Sequence, residues 1–243
     1  MRVTQSKQQV AINWASVRAA ITEPRFGPYL AAVSGVETDA LAAYHHNLRV
    51  SGAVYEDLAI VEVALRNAMD SQLRVWNATQ TDATGRHLSG EWLLDPARLL
   101  RRLLRDDLVK AQNRAQIRKG RQPAGSPARP PSHDDLLTGL TLGTWRYLLP
   151  DNNAGKQYLW QAALRRAFPH LTGGPVRLVD AINGIWFLRN RVAHLEPLTK
   201  PSALRRQIRN MRLIMRCIDP DLETWLVASS RLVDVLATPD ALP

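Results

Sequence analysis

The stretch VYEDLAIVEVALRNAMDSQLRVWN (residues 54–77) places Leu58, Val61, Leu65, Met69, Leu73 and Trp76 at steps of three and four. Apolar residues at that spacing fall on one stripe of an α-helix, whereas a half-buried strand would alternate by two. The spacing therefore predicts a helix over about Val54 to Asn77. On it, Glu62 precedes Arg66 by four residues, the favourable order for a helical ion pair.

The same periodicity extends outward in both directions. Upstream it predicts helices over about Thr38 to Val50 and about Asn13 to Thr22, the latter stopped by Pro24. Downstream, a loop around Thr79 to Gly90 leads to a helix from about Asp95 to Lys119. Asp95-Pro96 opens it as a capping acid followed by proline at the first helical position. Ser132-His133-Asp134-Asp135 fits a Ser-x-x-Asp cap, predicting one helix through LLTGLTLGTWRYLL to Pro150. Further helices are expected over about Gln157 to Ala167, Pro175 to His194 and Ser202 to Cys217. No pair of alternating apolar runs flanks a hairpin turn, so the chain reads as all-α.

Composition narrows the class. With 243 residues, 45% hydrophobic and 22% charged, the chain is long enough for a sizeable core, and collagen, wholesale disorder and fibrous repeats are excluded. The single Cys217 excludes a disulfide framework. No apolar stretch follows MRVTQSKQQV, and LAIVEVAL is interrupted by Glu62 and too short to span a bilayer. A cytoplasmic protein without a membrane partner is expected. His45-His46 has no Cys or acid cluster at ligand spacing, so no metal site is expected. Neither a phosphate-binding glycine loop nor a Gly-x-Ser-x-Gly elbow is present, and no cofactor is expected.

Charge carries more information. The formal net charge is +10, which favours a polyanionic partner. Ten basic residues lie between Arg98 and Arg129 against two acids, Asp106 and Asp107. Within that segment GRQPAGSPARPPS (residues 120–132) reads as a mobile basic loop. Arg114, Arg118, Lys119 and Arg121 are candidate RNA contacts there, although charge runs are also common on merely solvated faces. A second candidate is a ridge of Arg205, Arg209, Arg212 and Arg216 on the last helix, beside the apolar stripe Leu204, Ile208, Met211, Met215 and Ile218. Its helix holds those charges in register. The seven tryptophans sit among Leu and Ile at helical spacing and read as core.

The stretch Arg189-Asn190-Arg191-Val192-Ala193-His194 has the parts for RNA cleavage without metal. Asn190 and His194 are four apart and share a helix face. Arg189, five residues before His194, projects about 140° away on an ideal helix, within reach of a phosphate for a long side chain. Arg191 offers a cation on the other flank. An imidazole can accept the proton of a 2′-hydroxyl or return one to a leaving oxygen, and a guanidinium can hold the phosphate. The same spacing also suits a plain helix-terminal cap.

The run Arg189-Asn-Arg-Val-Ala-His-Leu-Glu-Pro197 resembles the R-x4-6-H signature of HEPN domains in the form typical of the abortive-infection (Abi) family. Asp57-Leu-Ala-Ile-Val-Glu-Val-Ala-Leu-Arg-Asn-Ala68 resembles that family's early helix, and Leu140-Thr-Leu-Gly-Thr-Trp145 its middle segment. The three matches are in the family's order and span most of the chain. The resemblance implies a single all-α HEPN-like bundle with additional helices, residues 98–131 forming a basic helix and loop inserted between the early helix and the motif helix. It implies a metal-independent endoribonuclease of the antiphage or toxin type, with RNA as substrate. It also implies a homodimer whose two motifs line one cleft, and a possible RNA or protein antitoxin. Arg189 and His194 match the signature's arginine and histidine, and Asn190 the polar residue after the arginine. Glu62, Arg66 and Asn67 match polar positions of the early helix, where a surface ion pair and a buried link to the motif helix are both open. Glu196 falls in a His-x-Glu-Pro pattern, with Leu195 where a second histidine often stands. Two other readings stay open: a non-catalytic RNA-binding protein, and an all-α interaction module whose charge serves solubility.

Overall fold

A computed structural model describes residues 13–120, 129–198 and 200–238. Among these residues there is no β-strand, only an isolated antiparallel bridge between Thr81 and His87. The all-α expectation holds. None of the described helices is long and apolar enough to cross a membrane. Arg121, most of the basic loop and the MRVTQSKQQV segment lie outside the described residues, as does the side chain of Lys119.

The chain divides into two compact units. One takes the chain up to Glu56, Arg189–Leu204 and the stretch from Ser230 on; the other takes Asp57–Leu188 and Arg205–Ser229.

In the first unit, α1 (Trp14–Ile21) opens at Asn13, whose side chain accepts from the Ser16 amide at 3.2 Å. Pro24 ends it as expected and sits in the first turn of α2 (Glu23–Ala32), a helix the periodicity did not reveal. Phe26, Tyr29, Ala40 and Leu41 form one buried apolar cluster of this unit, with Val17, Ile21 and Tyr44 against it. The helices expected over 38–50 and 54–77 are one, α3 (Glu37–Ala78), because nothing in Ser51-Gly52-Ala53 breaks the hydrogen-bond ladder. The last element is α12 (Leu232–Ala237), which the sequence reading also missed. Arg231, just before it, donates to both Glu56 oxygens at 2.7 and 2.8 Å.

In the second unit, Leu58, Val61, Leu65, Met69 and Leu73 of α3 are buried, as their spacing required. Asn77, fully buried near the end of α3, donates to the Ser89 and Asp95 carbonyls and accepts from the Ala97 amide. Both its N–H donors and its oxygen are engaged, and the 89–97 loop is tied down. The helix expected from Asp95 is α4 (Arg98–Leu103) and α5 (Arg105–Gly120), parted at buried Leu104. Asp95 does not cap it: its carboxylate holds Arg86 at 3.0 and 3.3 Å and the Ser89 amide at 3.2 Å.

Ser132 caps α6 (His133–Leu137) through a full capping box with Asp135. The single helix expected beyond it is interrupted, since α6 ends before Gly139 and α7 (Leu142–Tyr147) starts afresh. A Cβ on Gly139 would lie 3.0 Å from the Leu136 carbonyl and 3.1 Å from the Ala111 backbone of α5, so this close approach needs glycine. Next come α8 (Ala154–Ala162) and a 3-10 turn, Leu164–Ala167, where one helix was expected. The helices α9 (Val176–Ala193) and α10 (Pro201–Ile218) lie where the periodicity placed them. A further helix, α11 (Pro220–Ser229), was not anticipated.

Candidate functional site

The last turn of α9 carries Arg189, Asn190 and Arg191, and His194 is its terminal cap. The amide of Leu195 donates to the Val192 carbonyl at 3.0 Å, and that of Glu196 to the Arg191 carbonyl at 2.9 Å. This pair of reversed bonds is a Schellman turn, which satisfies carbonyls the helix end would otherwise orphan. Such a turn needs a left-handed residue, usually glycine. Here it is Leu195, with φ +53°, a conformation that costs a side chain about 1 kcal/mol. The turn is braced from within: Arg191 Nε donates to Glu196 Oε2 at 3.1 Å, and its Nη2 to the Pro197 carbonyl. One step on, the Leu198 amide donates to Asn47 Oδ1 at 2.7 Å. Arg191 is therefore not a spare cation beside His194 but a strut of the turn, and Glu196 is its counter-ion.

The imidazole of His194 is exposed; Arg189 and Asn190 are half-buried. Among the described residues, none of these three side chains has a hydrogen-bond or ion-pair partner. An accessible imidazole and an unneutralised guanidinium near one helix end can transfer a proton and hold an oxyanion.

The other expected site residues are in the second unit. Glu62 does not pair with Arg66. Its Oε1 accepts from the Leu142 amide at 3.1 Å and so caps α7, whose own N-cap, Thr141, makes no side-chain bond. Arg66 Nε donates to the neighbouring Asn67 Oδ1 at 3.2 Å. Carboxylates favour helix N-termini, and that interaction outweighs a solvent-screened i,i+4 pair.

The middle segment is a packing device. Trp145 is buried edge-on against Trp92, with ring centroids 6.2 Å apart. A Cβ on Gly143 would sit 3.2 Å from Trp186 Nε1. The Trp186 ring lies 4.4 Å from the Arg146 guanidinium, and Arg146 Nε bonds Asn183 Oδ1 at 2.5 Å.

Two of the basic candidates hold the fold together. Arg114 donates to the Gly139 carbonyl at 2.6 Å, and Arg118 to the carbonyls of Thr138 and Asp135 at 3.2 and 2.5 Å. Both therefore cap the C-terminal end of α6 from α5.

On α10, Arg212 and Arg216 share Glu223 of α11, with contacts of 3.0, 2.5 and 2.6 Å. The Arg216 guanidinium in turn holds the Glu223 carboxyl below its ordinary range. Arg205 and Arg209 are exposed. Arg209, Arg212 and Arg216 join Arg177 of α9, which the sequence reading missed, around a cleft of about 410 Å³.

Sequence reasoning also missed a buried ionic cluster. Asp70 Oδ1 accepts from Trp92 Nε1 at 2.7 Å and meets His133 Nε2 at 2.8 Å; Oδ2 accepts from Arg74 Nε at 2.8 Å. His133 is 1% exposed, which makes the cluster structural. Burial alone would raise the Asp70 carboxyl, but hydrogen bonds from His133, Arg74 and Trp92 together hold it below the ordinary carboxylate value.

No protein-family model, curated protein or solved structure matches this chain. Among the described residues, no group of three or more His, Cys, Asp or Glu side chains is placed to hold a metal ion.

Proposed function

We propose that this chain is a metal-independent endoribonuclease of the Abi-type HEPN class, acting in antiphage defence or growth arrest. The observation that carries the reading is the exposed imidazole of His194, set on a braced turn at the end of the helix that bears Arg189 and Asn190. The all-helical architecture and the +10 charge agree with it.

In this mechanism Arg189 grips the scissile phosphate and Asn190 orients it. One imidazole removes the proton of the adjacent 2′-hydroxyl, whose oxygen attacks phosphorus. A protonated imidazole returns a proton to the departing 5′-oxygen. The products carry 2′,3′-cyclic phosphate and 5′-hydroxyl ends. Both proton transfers occur in one displacement, so two imidazoles serve better than one, and pairing of two subunits supplies the second His194. Arg191 and Glu196 act by fixing the turn. An RNA or protein antitoxin would restrain the activity by covering the motif.

The test is cleavage of single-stranded RNA in excess EDTA by wild type, Arg189→Ala and His194→Ala. Loss of general acid–base catalysis should slow His194→Ala by about 100- to 10,000-fold. Equal rates would remove the mechanism.

The four-arginine cleft of Arg177, Arg209, Arg212 and Arg216 favours a second reading, an RNA-binding protein without catalysis. That protein would bind RNA in a salt-dependent way, unchanged by His194→Ala, and would cut none.

A further inference from the structure

Apart from the motif and the α10 ridge, the second unit carries another concentration of positive charge. Arg98, Arg101, Arg102 and Arg105 follow one another at steps of three, one and three, across the break between α4 and α5. All four are exposed, and all four line one cleft of about 930 Å³. Trp76 and Tyr158 line it too, and Tyr158 is 55% exposed. Among the described residues, no Asp or Glu borders the cleft and none of the four arginines forms an ion pair.

Like charges three and four residues apart on a helix repel, so such a face is costly to hold without counter-ions. A concavity with apolar walls concentrates their potential. One of the guanidiniums is also seated: a Cβ on Gly155, in the first turn of α8, would lie 2.7 Å from Arg102 Nη2. The glycine leaves the space that Arg102 occupies. Guanidinium forks match phosphate oxygens, and an exposed phenol ring offers a face on which a base can stack. An acidic peptide would use the charge but not the ring. A duplex presents its phosphates on a convex surface, whereas a cleft admits a strand.

We propose that this cleft binds a short single-stranded nucleic acid, its phosphates on Arg98, Arg101, Arg102 and Arg105 and one base on Tyr158. The site is separate from the His194 motif and needs none of its chemistry.

The experiment is fluorescence anisotropy of a labelled oligothymidylate of about twelve nucleotides, within the usual site size for such grooves, titrated with the full chain across a salt series. The deoxy strand has no 2′-hydroxyl and cannot be cut, so the outcome is independent of the proposed nuclease activity. Arg98→Ser with Arg105→Ser should weaken binding at least about tenfold and flatten the slope of log affinity against log salt by about 1.4, the value for two lost single-strand contacts. Tyr158→Ala should weaken it about fivefold or more. Gly155→Ala removes no charge but displaces Arg102, and should also weaken binding. Arg25→Ser with Arg206→Ser, at exposed positions outside every cleft named above, should bind as wild type does. The substituted arginines and Tyr158 are exposed and Gly155 is half-buried, and thermal melting by circular dichroism checks that each variant is folded. Wild-type affinity in the Arg98/Arg105 variant overturns the proposal. So does an equal loss in the Arg25/Arg206 variant, or an arginine effect with no Tyr158 effect, which would mark a surface attracting any polyanion.

Discussion

Asp70 and His133 are 63 residues apart in sequence and 2.8 Å apart in the structure. Asp70 lies beside Met69 in the apolar helix pattern, and His133 follows a capping serine, so neither residue's sequence neighbours betray the pair. The Arg191–Glu196 brace spans only five residues, but it forms because the chain reverses at Leu195, and helical spacing by itself offers Arg191 only as a flanking cation. The spacing of Arg189, Asn190 and His194 puts them near one helix end, and the structure leaves His194 exposed there and the other two half-buried. Replacing Asp70 by alanine strands a buried imidazole, an indole N–H and Arg74, and should cost about 3–5 kcal/mol, read as a lower urea midpoint at unchanged slope. An undiminished midpoint would mean that the cluster contributes nothing. Leu195→Gly should act in the opposite sense. Relief of the left-handed strain, less the added freedom of the unfolded chain, leaves a gain of up to about 1 kcal/mol by the same measurement.

Elements were legible where they carry a continuous amphipathic stripe. The boundaries of α9 and α10, and the buried face of α3, follow from their periodicity. Errors arose where tertiary contacts decide. Read alone, LLTGLTLGTWRYLL is one helix; packed against Ala111, it must break at Gly139. Gly139→Ala keeps or improves local helix propensity, yet should destabilise the protein by roughly 1–3 kcal/mol, because backbone atoms of α5 must move. A rise in melting temperature would refute that close approach. The short helix α7 depends on a carboxylate from α3. Glu62→Ala should cost about 1 kcal/mol through the orphaned Leu142 amide. Arg66→Ala should cost much less, since its bond to Asn67 is exposed.

Across the whole molecule, several carboxyls share one electrostatic condition. Arg86 hydrogen bonds hold Asp95 low, Lys156 does so for Asp151, and Arg216 for Glu223; the Thr84 hydroxyl and neighbouring amides hold Asp82 at about 2. Together with Asp70, these groups are more acidic folded than unfolded. Their contribution is complete above the ordinary carboxylate range and is lost as pH falls toward the folded values. Urea midpoints should therefore be flat from neutrality to about pH 5 and fall steeply below about pH 4. A midpoint that rises on acidification would contradict the assignment. Below that range the net charge climbs further above +10, and self-repulsion adds to the loss.

The central claim is that an exposed imidazole and its neighbouring guanidinium cut RNA through the substrate's own 2′-hydroxyl. Mass spectrometry of fragment ends, after wild-type protein has acted on single-stranded RNA in EDTA, tests it most directly. The account predicts fragments ending in 2′,3′-cyclic phosphate and beginning with a 5′-hydroxyl. Fragments beginning with a 5′-phosphate, or RNA left whole, would contradict it.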